Sequence, residues 1–297
     1  MKSLNYPHFI CIGPAKSATT WLADQLKPQF DMWFPPVQEL SYPFLSFKHL
    51  QEAGHLEYRT TPWEIFKRVV RNKSLSGSRD RRFYDMAKML ADKDPNGNDM
   101  KEYARIFQLA EGKITGDISP IYASFTPDQI GKLEKETNCK IVFMFLRDPV
   151  ARFFSHYRMM ERYRKYDDAD YGSAETVSIF LNDPVRSRQF YPSKIYANWS
   201  AIWGERFTVF DFDDVKATPA ETLNRIIRHV GGNPRHRVPF IPPTINRNRA
   251  YQSTPFSEDA KRIVHAHFLT ELEACYDLFG ATAKPWLERS RAFLKAS

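Results

Sequence analysis

Twice in this chain an apolar run ends in a short turn that opens a helix, and each turn carries a cation with hydroxyl groups close by. HFICIGPAKSATTWLADQL (8–26) sets Lys16, Ser17, Thr19 and Thr20 at the start of a helical pattern. KIVFMFLRDPVARFFSHYRM (140–159) ends its run at Arg147 and places Ser155 two helical turns further on. A strand that feeds a helix directly pairs in parallel with the strand that follows the helix. The first turns of a helix also expose free backbone N–H groups and the positive end of the helix dipole, which suits them to an anion. Two such sites on one sheet point to a ligand with phosphate groups at two separated positions.

Further runs extend the alternation. Residues 206–212 form a third strand pattern and KITGDIS (113–119) a weaker fourth. TPDQIGKLEKET (126–137) and TPAETLNRIIRHVGG (218–232) both open with Thr-Pro, a cap followed by a residue preset for the first helical position. The pattern predicts an α/β chain of one domain, 1–297, with a P-loop-like three-layer fold around a central parallel sheet. Residues 41–112 are too long for a simple crossover between strands. They predict a helical cap insertion, which either covers the site and shapes an acceptor cleft or adds a packing layer.

Composition narrows the classes. A chain of 297 residues can bury one large core. No stretch approaches the roughly 18 consecutive apolar residues of a membrane span, and the N-terminus has no apolar signal core, so a cytoplasmic protein is expected. Three widely spaced cysteines without a CxxC pair argue for a reducing compartment, with neither a disulfide framework nor a zinc site. The net charge of +8 favours anionic ligands. Its basic residues are dispersed rather than clustered, which argues against nucleic acid.

Together the motifs PAKSATTWL and RDPVARFFSHY resemble those of sulfotransferases that use 3′-phosphoadenylyl sulfate (PAPS), whose patterns read approximately PKSGTTWL and RDPxxRxxSxY. The resemblance extends to GDISPIYASF (116–125), to 193–215 and to INRNRAYQSTP (245–255). It implies PAPS as cosubstrate, adenosine 3′,5′-bisphosphate (PAP) as product and no required metal. Lys16 then faces the oxygen bridging phosphate and sulfate. Ser17, Ala18, Thr19 and Thr20 surround the 5′-phosphate, and Arg147 and Ser155 take the 3′-phosphate. Trp21 either stacks on adenine or packs on the sheet. Arg247, Asn248 and Arg249 belong to a basic loop that closes over the nucleotide, or are surface charge. Glu39, in PPVQELSYPF (35–44), matches the glutamate that acts as general base in the glycan-modifying branch. Gln38 and Ser41 replace the usual lysine and histidine there.

Ala18 replaces the family's glycine, and a helical start is expected to accept it. The cap is rich in cations and aromatics, including Arg59, Trp63, Arg71 and Tyr84, which suits a carbohydrate or glycolipid-like acceptor. Two other classes remain open from sequence: an ATP-dependent small-molecule kinase of P-loop type, and a catalytically silent nucleotide- or glycan-binding protein of the same fold. For the kinase, Asp148 imitates a Walker B carboxylate, although its neighbours Arg147 and Pro149 fit that role poorly.

Overall fold

The computed structural model describes residues 5–35, 39–40, 100–162, 170–184, 186–236 and 253–296. The bulk of the expected insertion, 41–99, lies outside them. Five strands form one parallel sheet: β1 (Phe9–Cys11), β2 (Met32–Trp33), β3 (Ile114–Ile118), β4 (Ile141–Leu146) and β5 (Phe207–Asp211). Their spatial order is β2-β3-β1-β4-β5. After β1 the chain moves to one side of the sheet and, after β3, returns to build the other. The C-terminal end of β1, beside β4, is therefore the topological switch point, where open α/β sheets hold their ligands. Both strand–turn–helix motifs singled out in the sequence lie at this end.

The helices described are α1 (Thr19–Leu26), α2 (Met100–Gln108), α3 (Pro127–Glu136), α4 (Pro149–Arg162), α5 (Ala174–Leu181), α6 (Pro192–Trp203), α7 (Phe212–Ala217), α8 (Pro219–His229), α9 (Glu258–His267), α10 (Leu269–Phe279) and α11 (Lys284–Ala296). Strand alternation divides the core into two. Ile10, Val142, Met144 and Leu146 face a cluster with Tyr103, Ile130, Phe153 and Trp199 of α2, α3, α4 and α6. Phe9, Cys11, Phe143 and Phe145 face Leu22 and Leu26 of α1 and Leu223 and Ile226 of α8. The result is the expected three layers.

Local signals set the element ends. Thr126 caps α3 in a reciprocal capping box with Gln129, and Pro127 occupies the first turn. The four strands expected from sequence are present, each trimmed at its ends. The edge strand β2 was not expected. It is two residues long and exists only through its pairing with Ile114 and Thr115. Asp117 of β3 is buried and accepts hydrogen bonds from Tyr103 (2.9 Å), Ser119 (2.6 Å) and Tyr122 (2.6 Å). Burial raises its pKa while the three hydroxyl donors oppose that rise. These donors tie α2 and the turn after β3 to the centre of the sheet.

Gly116 shows how closely β1 and β3 are packed. A Cβ there would lie 2.2 Å from the ring of Phe9. Gly116→Ala is expected to destabilise the protein by about 1–3 kcal/mol, the usual cost of overpacking a core. Urea unfolding would read this as a lower midpoint, and an unchanged midpoint would mean the Phe9 ring has room to move.

Candidate active site

The turn between β1 and α1 is held from three sides. The Gly13 carbonyl accepts from Phe145 N–H at 2.9 Å, fixing the turn to β4. At Gly13, with φ 91°, an added Cβ would lie 2.7 Å from Pro120, so only glycine fits. The Ala15 N–H donates to the Gln189 side-chain oxygen at 3.3 Å, and the Ala15 carbonyl accepts from Arg152 Nη1 at 3.4 Å. The next carbonyl, of Lys16, accepts from Arg147 Nη1. Both arginines of the second motif thus grip adjacent carbonyls of the first.

Lys16 and Ala18 both adopt left-handed backbone conformations, φ 68° and 62°. Turns of this kind gather successive N–H groups into a concave anion cradle. Ala18 is the N-cap of α1 and offers no side-chain cap, so the early N–H groups of the helix are not satisfied by a capping side chain. Ser17 is fully buried, and its hydroxyl has no partner among the described residues; nor has the buried indole N–H of Trp21. Thr19 is buried and Thr20 exposed at the helix start. The expectation that a helical start accepts an alanine is corrected here. Position 18 is left-handed rather than helical, which is why a glycine suits it.

Cations dominate the electrostatics around Lys16 and Arg152. Burial lowers the pKa of Lys16, and Arg162 and Arg147 lower it further. Burial also lowers that of Arg147, opposed by Asp148 and Asp213. The Arg147 guanidinium lies 4.3 Å from the centre of the Phe212 ring. Among the described residues no salt bridge joins a carboxylate to Lys16, Arg147 or Arg152. The cations are packed together against their mutual repulsion, an arrangement that an anion would relieve.

Ser155 is half-buried on α4. It is three residues from Arg152 and seven from Arg162, so all three share one helix face. Trp21 is partly buried beside the α1–α8 core. Glu39 is exposed, with φ 58°. It lines a cavity of about 20 Å³ with Lys27, Phe34, Gly116 and Asp117. That cavity is framed by the later turns of α1 and by β3, whereas Lys16 lies before α1. Arg247, Asn248 and Arg249 lie outside the described residues, as do Gln38 and Ser41. The chain beyond that loop is anchored on α4, where Thr254 N–H donates to Glu161 at 2.7 Å.

Asp148 caps α4 through one oxygen, which accepts from Val150 N–H at 2.8 Å, and binds Arg289 through the other, also at 2.8 Å. It is an architectural residue here rather than a free Walker B carboxylate. His156 is buried edge-on to Phe180 and Phe190, as a packing residue. Two residues of the loop's support were not foreseen. Arg152 was visible within the second motif, while Gln189 carries no sequence signal.

This chain resembles solved structures of sulfotransferases. A sulfotransferase from Alicyclobacillus acidocaldarius superposes with a TM-score of 0.59, covering 94% of this chain and 98% of that one at 17% identity. The fold is that of sulfotransferases. Two sulfotransferase domains also match: one from the curacin biosynthetic pathway (TM-score 0.53, 16% identity, 87% of this chain and 83% of that one) and one from the Synechococcus PCC 7002 olefin synthase (0.52, 17%, 90% and 96%). No family model matches the sequence and no curated protein is similar to it.

A left-handed alanine costs about 1–2 kcal/mol, part of which glycine's greater freedom in the unfolded chain cancels. Ala18→Gly is therefore expected to stabilise the ligand-free protein by about 0.5–1 kcal/mol. The urea midpoint should rise with an unchanged slope. A fall in midpoint would contradict the left-handed assignment at this position.

Proposed function

We propose that this protein transfers a sulfuryl group from PAPS to a hydroxyl or amine of an acceptor, and that its whole length is one catalytic domain. The observation that carries this reading is the cluster of Lys16 and Arg147 around the uncapped start of α1, with no carboxylate among the described residues paired to either cation. The orphaned Ser17 hydroxyl and the left-handed turn fit an anionic group seated on the loop. The sulfotransferase fold supports the same class of reaction.

In this reading Lys16 holds charge that develops on the oxygen leaving the sulfur, and the N–H groups of the turn with Thr19 and Thr20 orient the 5′-phosphate. Arg147 and Ser155 hold the 3′-phosphate, and Trp21 borders the adenine. Arg247, Asn248 and Arg249 close over the nucleotide from their loop. Glu39 takes the proton of the acceptor, which requires the acceptor to span from the Glu39 cavity to the loop. Transfer is in line, so the protein contributes position and charge rather than covalent chemistry. A sulfuryl group carries less negative charge than a phosphoryl group, so fixed cations suffice without a metal. The cationic, aromatic composition of 41–99 supports a carbohydrate or glycolipid-like acceptor.

PAP at 100 times its Kd should stabilise the fold by about 2.7 kcal/mol, well beyond AMP or ATP at equal concentration. Arg147→Ala should abolish that preference. Equal thermal shifts for PAP and AMP would remove the 3′-phosphate assignment.

Catalytic roles separate in kinetics. Lys16→Ala should lower kcat about 10²–10³-fold, the usual effect of removing one donor to a developing charge. Glu39→Gln should lower kcat while leaving PAP affinity near wild type. Full turnover by Glu39→Gln would move the base elsewhere. Transfer should survive excess EDTA, whereas loss in EDTA and recovery with magnesium would favour the kinase class.

A further inference from the structure

Arg152 is 1% exposed, yet no carboxylate among the described residues accompanies it. Its Nε and Nη2 are buried without partners among the described residues. Its Nη1 reaches the Ala15 carbonyl of the anion loop at 3.4 Å. Its guanidinium lies 5.1 Å from the centre of the Phe190 ring, an attraction far smaller than the hydration it forgoes. Burial, with Arg147 close by, pushes its pKa down to about 9. A buried charge without a counter-ion destabilises a folded protein. Its charge lies behind a loop whose helix start has no side-chain cap and whose Ser17 hydroxyl has no partner among the described residues.

We propose that Arg152 is a positioning residue for the anionic 5′ group of the ligand: a cation held in the dry interior behind the β1–α1 turn, balanced only when a phosphate-type anion occupies that turn. The proposal rests on the anion-site reading above and adds a residue to it. Arg152 acts from behind the loop. It fixes the Ala15 carbonyl, so that the N–H groups of the turn face outward. It also adds charge where the surrounding medium screens poorly. Arg147, Lys16 and Arg152 then divide the work: one holds the Lys16 carbonyl and the 3′ side, one meets the transferred group, and one supports the loop between them.

The test uses the full chain, inorganic pyrophosphate as a probe of the loop, and PAP and AMP as probes of the nucleotide assignment. Arg152→Met keeps an apolar stem against Phe190 and removes the charge; Arg152→Lys keeps the charge. By calorimetric titration, Arg152→Met should weaken pyrophosphate binding on the order of 10–100-fold. Arg152→Lys should recover most of that loss. The thermal midpoint of ligand-free Arg152→Met should equal or exceed that of wild type, because an uncompensated charge has gone. Unchanged pyrophosphate affinity in Arg152→Met would overturn the proposal. So would a fall in the ligand-free midpoint as large as that from Gly116→Ala, since Arg152 would then be a structural residue. A wild-type protein that binds pyrophosphate but prefers PAP no more than AMP would lose the donor assignment and keep the role of Arg152. A wild-type protein that binds no pyrophosphate would lose the Arg152 proposal.

Discussion

Two guanidinium groups hold the loop on which the site depends. Arg147 and Arg152 come from the strand end and first turn of one βα unit and grip consecutive carbonyls, of Lys16 and Ala15, in another. A carbonyl gripped from behind leaves its peptide N–H directed the other way. With Gln189 holding the Ala15 N–H and Phe145 holding the Gly13 carbonyl, the turn has few ways to relax. This bracing explains how a loop can keep two left-handed non-glycine residues, Lys16 and Ala18, in sequence with a buried unpaired serine. The strain is local and the restraints come from β4, α4 and the segment after α5.

The arrangement has an energetic logic. A binding site for a multiply charged anion must present cations before the anion arrives, and cations held together without carboxylates repel. Burial adds to this by removing hydration from Lys16, Arg147 and Arg152, all of whose pKa values are lowered. Carboxylates nearby have partners of their own: Asp148 the start of α4 and Arg289, Asp213 the ammonium of Lys216, and Glu161 the Thr254 backbone. Cations held close together in a poorly screening interior favour an anion beside them.

Much of this was legible before any coordinates. Apolar runs followed by capped helices revealed four of the five strands and the parallel pairing, because each signal is local. Thr126 and Pro127 specify the start of α3 with their own side chains. The signals failed where structure depends on distant partners. β2 is too short to show periodicity and forms only because Ile114 and Thr115 await it. Ala18 looked like a tolerable helical residue because its left-handed φ is imposed by the braced loop, not by its neighbours in sequence. Lys16, Arg147 and Ser155 stood out as motif members, whereas Gln189 did not, since a glutamine gains meaning only from the backbone it touches. Arg152 was in plain view within RDPVARFFSHY, but only its burial without a counter-charge separates it from an ordinary helix arginine.

The central claim is that one braced turn and one strand end hold the two phosphate groups of a single nucleotide. A crystal structure of the protein with PAP tests it directly. The account places the 5′-phosphate against the N–H groups of residues 17–20 and the 3′-phosphate against Arg147 and Ser155, with Arg152 still on the Ala15 carbonyl. A nucleotide seated away from the β1–α1 turn, or one whose 3′-phosphate points into solvent with Arg147 untouched, would contradict it.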